Sequence, residues 1–169
     1  MVSPIPLTGG DAKSGLPEET GMAVQIAVIG KEECTPEEAE AGETIGYLIA
    51  ANHGILLCGG GGGVMEAASR GAKEQGGTTV GILPGRGPGN PHLDIAIRTN
   101  LGHARNVVLV ESADAVIAVG GGYGTLSEIA VALKREKPVF GYRTWEIEGV
   151  IRCATPEETV LMAVRAARL

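Results

Sequence analysis

Little in this sequence speaks for a metal, a disulfide or a nucleic acid. Its three cysteines, Cys34, Cys58 and Cys153, are odd in number, far apart and without a Cys-x-x-Cys pair. That argues against a disulfide framework and a zinc site, and fits a reducing cytoplasm. His53, His92 and His103 are equally scattered, and aromatic residues make up only 3%. There is no Lys/Arg run, and 14 basic against 20 acidic residues leave a net charge of −6. A domain that grips a phosphate polymer by neutralising it has the opposite sign. No stretch approaches the roughly 18–20 apolar residues of a membrane span, and the N-terminus lacks the basic start and apolar run of a secretory signal. The expectations are a cytoplasmic protein with no metal, no cofactor, no nucleic acid and no membrane partner.

What the chain has in excess is glycine, 27 of 169 residues, more than twice the usual share of about 7%. There is no three-residue period, so a collagen-like rod is excluded. The glycines cluster at Gly59–Gly63 and around Gly120–Gly124, which predicts loops where the backbone approaches something closely. Apolar residues at 44% suffice for one core in a chain of this length. Residues 1–22, rich in Pro, Gly and charge, read as a flexible tail, and residues 23–169 as a single domain.

From residue 24 onward, strand, loop and helix alternate. Short apolar runs at 24–29, 55–58, 78–83, 114–119 and 138–142 read as buried strands, with weaker ones at 93–98 and 150–153. Helices are predicted over 35–51, 64–75, 104–112, 125–134 and from 155 to the end. Thr35-Pro-Glu-Glu38 and Thr155-Pro-Glu-Glu158 are the same helix start used twice: Thr as N-cap, Pro in the first turn, Glu three residues on. Strands apolar on both faces, alternating with helices, give a Rossmann-like doubly wound parallel sheet in a three-layer α/β/α arrangement.

Each glycine cluster follows a strand and precedes a helix, where open α/β sheets bind ligands and helix amides can face an anion. Gly60, Gly61, Gly62, Gly121, Gly122, Tyr123, Gly124 and Thr125 are therefore candidate phosphate or nucleotide contacts. Neither cluster fits G-x-G-x-x-G, since the sixth position is Val64 or Thr125, and the P-loop motif is absent too. Tight helix–sheet packing is the other reading of the first cluster. Thr125-Leu-Ser-Glu128 also matches a capping box, so Glu128 is either a cap or a functional carboxylate at the mouth of an anion site. Arg105 is either a helix-surface residue or a guanidinium that forks onto a phosphate or holds Glu128. Tyr123 could stack on a ring or cover its loop, and Arg86 and His103 are weaker candidates.

Val119-Gly-Gly-Gly-Tyr-Gly-Thr-Leu-Ser-Glu128 resembles the PGGxGTxxE signature of the Lonely Guy family, cytokinin-activating phosphoribohydrolases often mislabelled as lysine decarboxylases. The resemblance extends over residues 24–154, through Cys58-Gly-Gly-Gly-Gly-Gly-Val-Met65, Gly81-Ile-Leu-Pro84 and the Arg105 segment. It implies that Gly121, Gly122, Gly124 and Thr125 hold a nucleotide 5′-phosphate, that Arg105 and Glu128 form the catalytic pair, and that the protein is a homo-oligomer, a dimer or tetramer.

Two segments depart from the pattern. Gly120 replaces the signature proline and Ser127 an often acidic residue, while Gly102-His-Ala-Arg-Asn106 stands where Met-His-x-Arg-Lys is usual. These features are similar to a smaller bacterial branch that also resembles molybdenum-cofactor carrier proteins; DNA-processing A proteins are more distant. The implied activity is hydrolysis of the N-glycosidic bond of a purine-like nucleoside 5′-monophosphate, not lysine decarboxylation. The alternative is a non-catalytic carrier or sensor of a phosphorylated heterocycle.

Overall fold

The computed structural model describes residues 21–169; all but the last two residues of the expected tail lie outside that range. Seven strands form one parallel sheet: β1 (Gln25–Gly30), β2 (Ile55–Cys58), β3 (Thr79–Leu83), β4 (Ile95–Arg98), β5 (Ala115–Val119), β6 (Val139–Tyr142) and β7 (Val150–Arg152). Their order across the sheet is β4-β3-β2-β1-β5-β6-β7. The chain builds outward from β1 to one edge, returns, and builds outward again from β5 on the other side.

Alternation along β1 sorts the two cores. Ile26 and Val28 pack with α1 (Pro36–Ala51), α2 (Val64–Glu74) and α5 (Pro156–Ala167). Ala27 and Ile29 face the other way, into α3 (Arg105–Ser112) and α4 (Tyr123–Lys134). The predicted three-layer arrangement is what the chain adopts.

Local chemistry sets the helix ends. Thr35 closes a full capping box, its hydroxyl accepting from the Glu38 amide and its own amide donating to the Glu38 carboxylate. Thr155 repeats only half of it. Its hydroxyl accepts from the Glu158 amide, but the Glu158 carboxylate takes the amide of Ala154 instead of Thr155. The two starts are therefore similar rather than identical.

Glycines outside the clusters have a separate use. A Cβ on Gly46 of α1 would stand 1.8 Å from the Ala68 carbonyl oxygen of α2, and one on Gly71 of α2 would stand 2.0 Å from the Glu43 oxygen of α1. The two helices cross backbone against backbone. Gly46→Ala gains up to ~1 kcal/mol in helix propensity but must push the helices apart. We expect a net loss of about 2 kcal/mol or more, read as a lower urea midpoint with unchanged m. An unchanged or raised midpoint would refute the close crossing.

Candidate nucleotide-phosphate site

The sheet order has its reversal between β1 and β5, and the loops leaving these strands border the same crevice. A cavity of about 610 Å³ opens there, lined among others by Lys31, Glu33, Arg105, Gly122, Thr125 and Glu128.

One side of it is the start of α4. Gly122 is the N-cap and offers no side chain, so the first intrahelical bond runs from the Leu126 amide to the Gly122 carbonyl. The amides of Tyr123, Gly124 and Thr125 precede it, as the unpaired first turn of any helix does. Thr125 is 2% exposed, yet its Oγ1 is buried with no hydrogen-bond partner. An unmade hydrogen bond costs about 1–3 kcal/mol, so a core position would favour valine. Because α4 begins at Tyr123, Thr125 lies inside the first turn and no capping box forms with Glu128; the helix starts three residues earlier than the Thr-x-x-Glu spacing suggests.

Glu128 lies one turn further on, 6% exposed and lining the same cavity. Burial pushes its carboxyl up to about 7, against the opposing pull of the Arg105 guanidinium. No ion pair joins the two among the described residues. Arg105 is instead tied to the protein. Its Nη1 donates to the carbonyls of Gly59 and Ile82, the latter at 2.6 Å, and its Nε donates to Asn106 Oδ1 at 2.7 Å. Asn106 Nδ2 in turn donates to Ser127 Oγ at 3.0 Å, and Ser127 Oγ to the Gly124 carbonyl at 2.7 Å. Asn106 and Ser127 are two of the positions at which the chain departs from the Lonely Guy pattern, and here they bond to each other. The pair links the Arg105 helix to the first turn of α4.

The first glycine cluster is used differently. Gly60, Gly61 and Gly62 are not among the residues lining the cavity. Asn90 donates its amide to the Gly60 carbonyl and its Nδ2 to the Gly61 carbonyl. A Cβ on Gly60, whose φ is +78°, would sit 2.0 Å from Leu83 Cδ2. Tyr123 is 84% exposed and stacks on Trp145 with ring centroids 6.3 Å apart. Trp145 Nε1 donates to the Gly122 carbonyl at 3.2 Å and so braces the loop. Arg86 is exposed and outside the cavity lining, whereas His103 contributes to it.

Lys31, Glu33, Asn106 and Trp145 were not legible as site residues from spacing. The signal for Lys31 was its place directly after the first strand, which borders the reversal of a doubly wound sheet.

The SLOG cluster4 family model matches residues 23–168. The chain belongs to that family. A protein of Archaeoglobus fulgidus is 50% identical over 139 residues, 81% of this chain and 92% of that one. The cytokinin riboside 5′-monophosphate phosphoribohydrolase of Mycobacterium marinum is 34% identical over 123 residues, 70% of this chain and 64% of the enzyme, so the match leaves over a third of that enzyme uncovered. The molybdenum cofactor binding protein of Rippkaea orientalis superposes with a TM-score of 0.81 at 38% identity, covering 88% of this chain and 100% of the other.

The raised Glu128 carboxyl predicts a pH signature in stability. Its folded value, about 7, lies above the ordinary 4.5. Below 4.5 the group is protonated folded or unfolded and costs nothing; above 7 it is ionised in both states and the fold bears the full burial cost, about 3 kcal/mol. Glu128→Gln should match the wild type in Tm near pH 4 and exceed it progressively to pH 8. A Tm difference independent of pH would show an ordinary carboxylate.

Proposed function

We propose that this chain binds a purine-like nucleoside 5′-monophosphate and hydrolyses its N-glycosidic bond to free base and ribose 5-phosphate. The observation carrying the reading is the first turn of α4, whose Gly122, Gly124 and Thr125 line one cavity with Glu128 a turn away, Thr125 carrying a buried hydroxyl without a partner. In this reading Gly121, Gly122, Gly124 and Thr125 hold the phosphate and Tyr123 covers its rim. Gly60 acts through packing against Leu83. Anchoring the phosphate supplies binding energy remote from the scissile bond, which orients the sugar over Glu128.

Water then attacks C1′ while the C1′–N bond breaks and its electron pair leaves with the base. Positive charge builds on the ribose, and the Glu128 carboxylate beside it stabilises that charge. Glu128 takes the proton lost by the water and later releases it to solvent, while the departing nitrogen takes a proton from solvent, so the reaction balances as base plus ribose 5-phosphate. Arg105, fixed by its three bonds, supplies a field that keeps part of the Glu128 population ionised near neutrality. The same reading takes the protein to be a homo-oligomer.

A second reading, a carrier of a phosphorylated heterocycle without turnover, is supported by the end-to-end likeness to the molybdenum cofactor binding protein. It uses the same phosphate cradle and needs no ionised Glu128.

Chromatography of purine nucleoside monophosphates incubated with the protein separates the two. Hydrolysis predicts free base, lost by about 100-fold or more in Glu128→Ala. It also predicts kcat/KM rising with pH through about 7, because the base is the ionised form. Tight binding without base release, with Arg105 and Glu128 intact, would overturn hydrolysis in favour of the carrier.

A further inference from the structure

The cavity at the β1/β5 reversal is short of usable positive charge. Glu32, Glu33 and Glu128 line it, against Lys31 and Arg105. Three of Arg105's five donors are spent on Gly59, Ile82 and Asn106. A phosphate dianion entering here meets carboxylates and a guanidinium held elsewhere. The α4 amides alone offer about half a unit charge.

Lys31 is placed to make up the deficit. It directly follows Gly30, the last residue of β1, and its carbonyl accepts from the Val64 amide at the start of α2. Gly63, at φ +62°, leaves room for this contact, since a Cβ there would fall 2.4 Å from the Lys31 carbonyl oxygen. The backbone of Lys31 is thus pinned. Its Cβ lies 3.9 Å from where a Cβ on Gly122, the N-cap of α4, would be. From that point a four-carbon stem spans the first turn of the helix. Lys31 forms no ion pair and no side-chain hydrogen bond among the described residues. Of the acids that share its second cavity, Glu38 accepts from the Thr35 amide and Glu146 pairs with Arg152.

The geometry points to Lys31 as the cation that pairs with the ligand's phosphate, completing from the β1 side the cradle that α4 and Thr125 begin. This rests on the phosphate-binding reading above and adds a residue that the glycine signature does not contain. Lys31 also lines a neighbouring cavity of about 390 Å³ together with Gly121 and Trp145. Lys31 therefore stands between the α4 cavity and the Trp145 loop.

Trp145 is the sole tryptophan, and its fluorescence is a direct reporter because its indole is bonded to Gly122. The probes are inorganic phosphate and adenosine 5′-monophosphate, titrated into wild type, Lys31→Gln, Lys31→Arg and Gly124→Ala, with calorimetry as a second readout. A Cβ on Gly124 meets nothing within 4 Å and so enters the cradle without disturbing the fold.

Lys31→Gln should weaken both probes by a similar factor, about 10–100-fold, with Tm unchanged, and Lys31→Arg should recover most of the loss. Equal affinity of Lys31→Gln and wild type, with Gly124→Ala impaired, would overturn the role of Lys31 and leave the cradle standing. A wild type silent toward both probes at millimolar concentration would overturn the phosphate reading itself.

Discussion

The parallel pairing of β1 with β5 runs from Ile26 opposite Ala115 to Gly30 opposite Val119, and both strands are buried at almost every position. At the end of that ladder the chain diverges. After β1 it enters α1 on one face of the sheet; after β5 it enters α4 on the other. The crevice between the two departing loops is a consequence of this divergence, and its floor is the rigid core. A slip of one residue would exchange every inward side chain for its neighbour, moving Gly30 away from Val64 and Val119, where no larger residue fits. The position of the α4 amides relative to Lys31 is therefore fixed by strand packing.

On that floor the fold accepts two costs it could have avoided. Thr125 buries a hydroxyl without a partner, and Glu128 buries a carboxyl that would titrate near 4.5 in water. Valine and leucine would serve the helix–sheet contact better if packing were the only demand. The placement of Arg105 is also informative. In direct contact with Glu128 it would hold the carboxyl in the ordinary range or below. Bound to Gly59, Ile82 and Asn106 instead, it acts at a distance and leaves burial dominant. The result is a carboxyl that changes charge near neutrality one turn inside the start of α4, a kind of environment enriched at acid–base sites.

The strand and helix pattern was legible because apolar runs, Thr-Pro starts and glycine stops act locally. So was the placement of residues 119–128 between a strand end and a helix start, beside the cavity. Three things were not legible. Nothing local tells that Gly122 rather than Thr125 caps α4, because a cap without a side chain leaves no mark in the sequence. Nothing local tells that Gly60 is held to glycine by Leu83, more than twenty residues away, which fills the space its Cβ would take. Asn106 and Ser127 look like two separate losses from a motif, although the hydrogen bond between them makes them one exchange.

That exchange bears on the choice between catalyst and carrier. A lysine and an acidic residue at those two positions would add a charged pair beside Glu128, whereas Asn106 and Ser127 join the same helices with neutral groups. With no extra cation next to it, the Glu128 carboxyl feels burial and Arg105 alone, which keeps its proton affinity high. A hydrolase can use such a carboxyl, since a base is most effective when its proton affinity matches the working pH. A carrier gains less, because ionisation would set a negative charge near the phosphate it must retain. The neutral pair is thus compatible with both functions, and in either it leaves burial and Arg105 to set the proton affinity of Glu128.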